Sequence, residues 1–171
     1  HKVVVEIKWG DRMNPKKIAY CGLLTTTALL LSYVERMLAI PMLVPGMKLG
    51  LANVAVLIAL YLLDNKAAFC ISILRILMSG ILFTGFASFF YSAAGALLSF
   101  CIMSFFKNHF SVIAVSISGG ISHNIGQIII ACIVVENIGL FYYLPFLVIL
   151  GIVTGFLTGI VANRTIYYLN H

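Results

Sequence analysis

Long apolar runs separated by short polar breaks make up most of the chain. Prolines, glycines and charged residues end each run, and no stretch shows the strict apolar–polar alternation of a half-buried β-strand. A helix needs about 20 apolar residues to cross a bilayer, and most of the runs approach that length. The pattern predicts six transmembrane helices, at residues 18–33, 49–63, 67–83, 86–106, 112–135 and 143–162.

The composition places these helices in a membrane rather than in a soluble core. Hydrophobic residues make up 62% of the chain and charged residues 9%, whereas soluble domains carry about 25% charged residues. We therefore predict an all-α integral membrane protein, with residues 13–171 forming a single bundle of six helices. Residues 1–12 differ in character from the rest and are interpreted as an upstream extension or an artificially added segment outside this domain.

The positive net charge of +6 is interpreted as a signal of membrane orientation, not of nucleic-acid binding. With the N-terminus inside, five cations fall in cytoplasmic segments and two in outer segments. We therefore predict that both termini lie in the cytoplasm and that the helices contact membrane lipid. The inner cations are Lys16, Lys17, Lys66, Lys107 and Arg164, and the outer ones are Arg36 and Lys48.

Several polar side chains interrupt the apolar runs, and such residues are functional candidates because they are costly in lipid. Arg75 lies in the middle of a span, where it could meet an anion or bond to helix carbonyls. His123, Asn124 and Gln127 fall three and four residues apart and are expected on one side of a helix. They could bind a ligand or hold helices together.

A lysine-bearing loop leads directly into the second apolar run, which opens with an asparagine, Asn53. A cation and an amide at the start of a membrane helix suggest a binding site for a polar molecule. Asn53 could instead form a hydrogen bond with a neighbouring helix. We expect no buried carboxylate, since the acidic residues beyond the N-terminal extension fall at span ends. The predicted substrate-binding residues are Lys48, Asn53, Arg75, His123, Asn124 and Gln127.

These residues predict a ligand that is anionic or otherwise electron-rich, reached from the outside. Enzymatic activity of the single chain is not expected. There is no GxxxxGK[ST] motif for nucleotide binding, no pair of clustered carboxylates for Mg²⁺, and no metal-ligand spacing among the four cysteines. We predict no cofactor and no metal site.

Small residues also recur at four-residue spacing, which lets helices approach closely in lipid. Two helices show the pattern, and it could serve packing within the chain or contact with a partner. The residues are Gly151, Gly155 and Gly159 in the last helix, and Ser88, Ser92 and Ala96 in the fourth.

Five segments together carry a resemblance to a known family: PGMKLGLAN, SILRILMSG, SAAGALLSF, SGGISHNIGQ and GIVTGFLTG. With them, residues 14–164 resemble the Gx transporter family, also labelled heptaprenyl diphosphate synthase component I. That family is similar to the substrate-binding S components of energy-coupling factor (ECF) transporters. The resemblance implies a prokaryotic plasma membrane, six helices and cytoplasmic termini. It also implies a pocket near the outer side.

The resemblance further implies a partner module, made of a membrane coupling subunit and two ATPases. S components dock on the coupling subunit through small residues of the first helix, where this chain offers Gly22 and Thr26, with Ala28 nearby. The predicted function is thus the substrate-binding subunit of an ATP-driven importer of a small, polar, vitamin-like compound. An accessory membrane subunit of isoprenoid synthesis and a purely structural membrane subunit are the alternatives.

Overall fold

A computed structural model of the protein describes residues 15–37, 48–83 and 86–170. The proposed extension at residues 1–12 lies outside these ranges. Within them all regular structure is helical, which confirms the all-α prediction. The helices are α1 (Pro15–Met37), α2 (Asn53–Leu62), α3 (Asn65–Phe83), α4 (Phe86–Phe106), α5 (Val112–Val134) and α6 (Leu144–Asn170), with a 3₁₀ turn at Ile138–Tyr143 before α6.

Five of the six helices are long and apolar enough to cross a membrane, and α2 is the exception. The predicted second span began at residue 49, but the helix begins four residues later. Residues 48–52 form a buried turn instead, in which Gly50 has a φ of +85° that favours glycine. With 10 residues, α2 is about 15 Å long, roughly half the thickness of the hydrocarbon core.

The turn and α2 together nevertheless run antiparallel along α1. At one end the Leu51 N–H donates a 2.7 Å hydrogen bond to Glu35, close to the C-terminus of α1. At the other end Asp64 forms an ion pair with Lys17, close to the N-terminus of α1. The second segment therefore connects the two ends of the bundle although its helical part is short.

A dense set of polar contacts joins the helix ends around Asp64. Lys107 Nζ, after α4, donates to the Leu60 carbonyl at 2.7 Å. Burial alone raises the pKa of the Asp64 carboxyl, but hydrogen bonds from Lys17 and from the Ala67 N–H outweigh burial and lower it. We call this the terminal end of the bundle, because α1 begins here, and the opposite end, where α1 ends, the far end.

The last two helices pack backbone to backbone through glycines. A Cβ atom on Gly120 of α5 would lie 2.4 Å from the Gly151 carbonyl oxygen of α6, and one on Gly155 would lie 2.7 Å from the Ile117 Cα. Both distances are shorter than real Cβ contacts, so only glycine fits at this crossing. The glycine ridge of α6 is therefore used for packing within the chain, the first of the two uses considered above.

The outer surface has the character expected of a lipid-facing bundle. Large apolar side chains lie exposed on several helices, including Leu23, at 64% of full exposure, and Ile81, at 84%. Tyrosines mark both ends of the last helix, with Tyr143 at one end and Tyr167 at the other. Helical rise puts these two about 36 Å apart, close to the spacing of the two interfacial regions of a bilayer. The protein is thus a multi-pass membrane protein by shape and surface.

Candidate functional site

The backbone of residues 48–51, which we call the Lys48 segment, lies inside the far half of the bundle and is held there by side chains. The Lys48 N–H donates to Gln127 Oε1 at 2.9 Å, and Gln127 Nε2 donates to the Lys48 carbonyl at 2.8 Å. Thr154 of α6 contacts the Leu49 carbonyl at 3.4 Å. Gln127 was predicted as a substrate-binding residue, and here both ends of its amide are occupied by the protein backbone.

Arg75 lies almost completely buried in α3, with 2% of its surface exposed. Its Nη2 is 3.5 Å from Asn53 Oδ1, and Asn53 Nδ2 donates to Ser99 of α4 at 3.2 Å. Arg75 Nε is buried and has no hydrogen-bond partner. Asn53 therefore links three helices, which is the interhelical role considered above, while the guanidinium of Arg75 keeps unused donor capacity.

His123 and Asn124 are adjacent in α5 but face different neighbours. Asn124 Nδ2 donates to the Leu147 carbonyl at 2.7 Å and so ties α5 to α6. The His123 ring lies against Gly50 and Gly95, where an added Cβ would come within 3.2 and 3.0 Å of ring carbons. Neither nitrogen of this buried ring makes a hydrogen bond of normal geometry. The structure thus leaves the ring nitrogens of His123, but not the amide of Asn124, without a well-formed hydrogen bond.

Glu35 is a member of the same region that the sequence analysis missed. We expected no buried carboxylate, yet Glu35 is only 8% exposed. Its Oε1 accepts the Leu51 N–H, whereas its Oε2 is buried without a partner. The prediction was wrong because residues 48–51 fold back over the end of α1 and enclose this side chain. A signal existed in the buried face of α1, which continues from Ala28 through Ser32 to Glu35 at helical spacing.

The far half of the bundle therefore contains a cluster of buried polar groups from four helices, with charges on α1, on α3 and in the Lys48 segment. Glu35 interacts electrostatically with both Arg75 and Lys48, but no ion pair joins them. A buried polar atom without a partner costs about 1–3 kcal/mol, so native proteins contain few of them. Among the described residues, such atoms are Ser32 Oγ, Glu35 Oε2, Ser72 Oγ, Arg75 Nε, Ser92 Oγ and both ring nitrogens of His123.

The described side chains of this cluster are hydrogen-bonding groups rather than a set of metal ligands. Among the described residues no group of three or more His, Cys, Asp or Glu side chains could hold a metal ion. The cluster offers donors from Arg75, acceptors from Glu35, and hydroxyl and imidazole groups able to do either. A small polar molecule, or ordered water, would satisfy the unpaired atoms.

The residues suggested for partner docking do not share one face of α1. Gly22 and Thr26 are exposed, and no other atom lies within 4 Å of the position that a Gly22 side chain would take. Ala28 is completely buried in the core. Only the first two could therefore meet another subunit through the membrane.

The fold and the site together define a helical, multi-pass membrane protein with a buried polar cluster in one half of its bundle. A sequence profile described as heptaprenyl diphosphate synthase component I matches residues 24–165, which include every predicted substrate-binding residue. The chain belongs to this family. No curated protein and no solved structure matches the chain significantly.

Proposed function

We propose that this protein is the substrate-binding membrane subunit, or S component, of an ATP-driven ECF-type importer. Its substrate is a small, polar, anionic compound of the vitamin type, taken up from outside the cell. The observation that carries this proposal is the burial of Arg75 and Lys48 in the far half of the bundle, neither of them in an ion pair. Burying a cation that no carboxylate pairs with directly is costly, and an anionic ligand would offset that cost.

The energy for uptake is supplied by separate subunits in this proposal. The chain has no phosphate-binding loop for ATP. A coupling subunit would contact the exposed strip of α1 that contains Gly22 and Thr26, where small side chains permit close helix approach. Two ATPases would bind the coupling subunit on the cytoplasmic side.

The family description favours a second candidate, a membrane accessory subunit for heptaprenyl diphosphate synthesis. In that role the cationic residues would bind the diphosphate group of a prenyl lipid. The charge of the site argues against it, because a diphosphate carries two to three negative charges and Glu35 would lie close to them. The acidic residues Glu35, Asp64 and Glu136 are also far apart in sequence, and no cluster of carboxylates for Mg²⁺ is present in the described residues.

Affinity capture with a matched pair of variants tests the importer proposal. The tagged protein, extracted from its own membrane in mild detergent, should bring down one coupling subunit and two ATPases. The double variant Gly22→Leu, Thr26→Leu should lose them. Thr27→Leu is the control, because Thr27 is also exposed and, like Thr26, bonds only the carbonyl four residues earlier, at 2.9 Å.

Two results would decide against this proposal. Loss of the ATPases in the Thr27→Leu control would show that the effect does not depend on the small-residue strip. Capture of a soluble prenyl synthase subunit, without any ATPase, would favour the accessory role instead.

The proposal also requires a defined orientation, with both termini and the terminal end of the bundle in the cytoplasm. The far end, with Glu35 and Lys48, would then face outward. Single cysteines placed at positions 65 and 108 in a background without the native cysteines should be protected from impermeant maleimide in intact cells. Labelling of either position from outside would reverse the orientation and remove the basis for uptake.

A further inference from the structure

We infer that the ligand is zwitterionic, with an anionic group bound by Arg75 and a protonated nitrogen bound by Glu35. This inference rests on the proposed function, because it narrows the anionic substrate of the same site to one that also carries a protonated nitrogen. It assigns a binding role to Glu35 and an orientation to the ligand, with the nitrogen toward the far end of the bundle.

The first step is that Glu35 is only half used by the protein. One carboxylate oxygen accepts the Leu51 N–H, and the other is buried with no hydrogen-bond partner. Each carboxyl oxygen can accept hydrogen bonds, and leaving one of them bare in a buried site is expensive. A donor from the ligand would complete it.

The second step is that Glu35 and Arg75 lie at different depths. Lys17 and Asp64 contact each other at the terminal end, which gives a common reference level. Counted in helical rise from that level, Arg75 lies about 16 Å and Glu35 about 27 Å into the bundle, so their backbones differ by roughly 10 Å in depth. The two oppositely charged groups interact electrostatically without forming an ion pair.

The third step concerns the groups near these two charges. An unpaired hydroxyl group occurs at Ser32, one turn before Glu35 in α1 and therefore on the side of Glu35 that is nearer in depth to Arg75. Hydroxyls both donate and accept, so they suit the neutral polar body of a molecule whose ends are charged. A ligand with both charges would meet the guanidinium of Arg75 at one end and the free oxygen of Glu35 at the other.

The inference predicts a clear order of affinities among matched compounds. The test uses purified protein in detergent and a library in which each zwitterion is accompanied by its carboxylic acid without the amine and its amine without the acid. Thermal unfolding should shift upward for zwitterions, with at least tenfold weaker binding for both partial analogues. No variant is needed for this measurement.

A charge-neutral substitution then tests the role of Glu35 directly. Glu35→Gln keeps a carbonyl oxygen that can accept the Leu51 N–H but removes the negative charge. It should weaken zwitterion binding at least tenfold and leave binding of the carboxylic acid analogue unchanged or tighter. Glu136→Gln, on an exposed turn, is the matched control and should bind like the wild type.

The possible outcomes separate this inference from the proposed function. Preference for simple anions, or equal loss of all ligands in Glu35→Gln, would overturn the zwitterion assignment and leave an anion-binding subunit. Absence of binding by every charge class would contradict both, because the cluster would then be satisfied by water alone. Zwitterion selectivity that depends on Glu35 would support the inference whatever the capture experiment shows.

Discussion

Replacing Gln127 by leucine tests whether this residue holds the Lys48 segment in place. Leucine has a similar size but no polar atoms in its side chain, so Gln127→Leu removes both hydrogen bonds to Lys48, at 2.9 and 2.8 Å. The backbone N–H and carbonyl of Lys48 are then buried without partners. Each such loss costs about 1–3 kcal/mol in general, while polar contacts between membrane helices average about 0.6 kcal/mol. We therefore expect a destabilisation of about 2 kcal/mol.

The measurement is thermal unfolding in detergent, together with amide hydrogen exchange. A loss of this size should lower the Tm by about 4–8 °C, and exchange should speed up in peptides that cover residues 48–51 but not at the terminal end. Thr165→Val is the control, since it removes only one intrahelical bond on an exposed face and should change stability by less than about 0.5 kcal/mol. A Gln127→Leu protein with wild-type Tm and unchanged hydrogen exchange would show that Gln127 does not hold residues 48–51 in place.

Three further predictions follow from other parts of the bundle. Arg75→Ala should weaken ligand binding at least tenfold, about 1.4 kcal/mol, while the protein still folds. The control Arg164→Ala, on the exposed face of α6, should bind like the wild type. If a binding titration gave equal affinities for both variants, Arg75 would not be a binding residue. Gly120→Ala should destabilise the protein by about 3 kcal/mol because its methyl group would lie 2.4 Å from a backbone oxygen of α6, whereas Gly22→Ala has open space and should be neutral or slightly stabilising in the same unfolding assay. Because the pKa of Asp64 is lowered by its partners, its ion pair should stabilise the protein at neutral pH and lose that contribution as the pH falls through this pKa. Unfolding midpoints measured against pH should therefore depend less on acid in Asp64→Asn than in the wild type. An identical pH dependence of the two proteins would contradict this prediction.

Most of the helix positions could be predicted from the sequence, because lipid demands long apolar runs and the polar breaks between them are sharp. The fourth helix, predicted at residues 86–106, has those bounds, and the fifth ends within one residue of its prediction. The start of α2 could not be predicted in this way. Its first apolar residues lie in a turn that is held by Gln127 and Thr154, which are 79 and 105 residues away in sequence.

The candidate site could be predicted only in part, for a related reason. Arg75 and His123 stand out because they interrupt apolar helices, and both prove to be buried with unused hydrogen-bonding capacity. Asn124 stands out equally, but its amide donates a hydrogen bond that joins α5 to α6. The sequence does not show this difference from His123, because it depends on which neighbouring helix each side chain faces. Glu35 was missed because a position at the end of a helix is normally exposed, and only the returning Lys48 segment encloses it.

The central claim is that the polar cluster of the far half binds a small molecule. Native mass spectrometry of the protein, released from lipid nanodiscs prepared without added ligand, tests this most directly. We expect a one-to-one complex with a small polar compound, which is absent from Arg75→Ala protein prepared in parallel. A bare protein, an adduct that persists in Arg75→Ala, or a bound polyprenyl diphosphate would contradict the account.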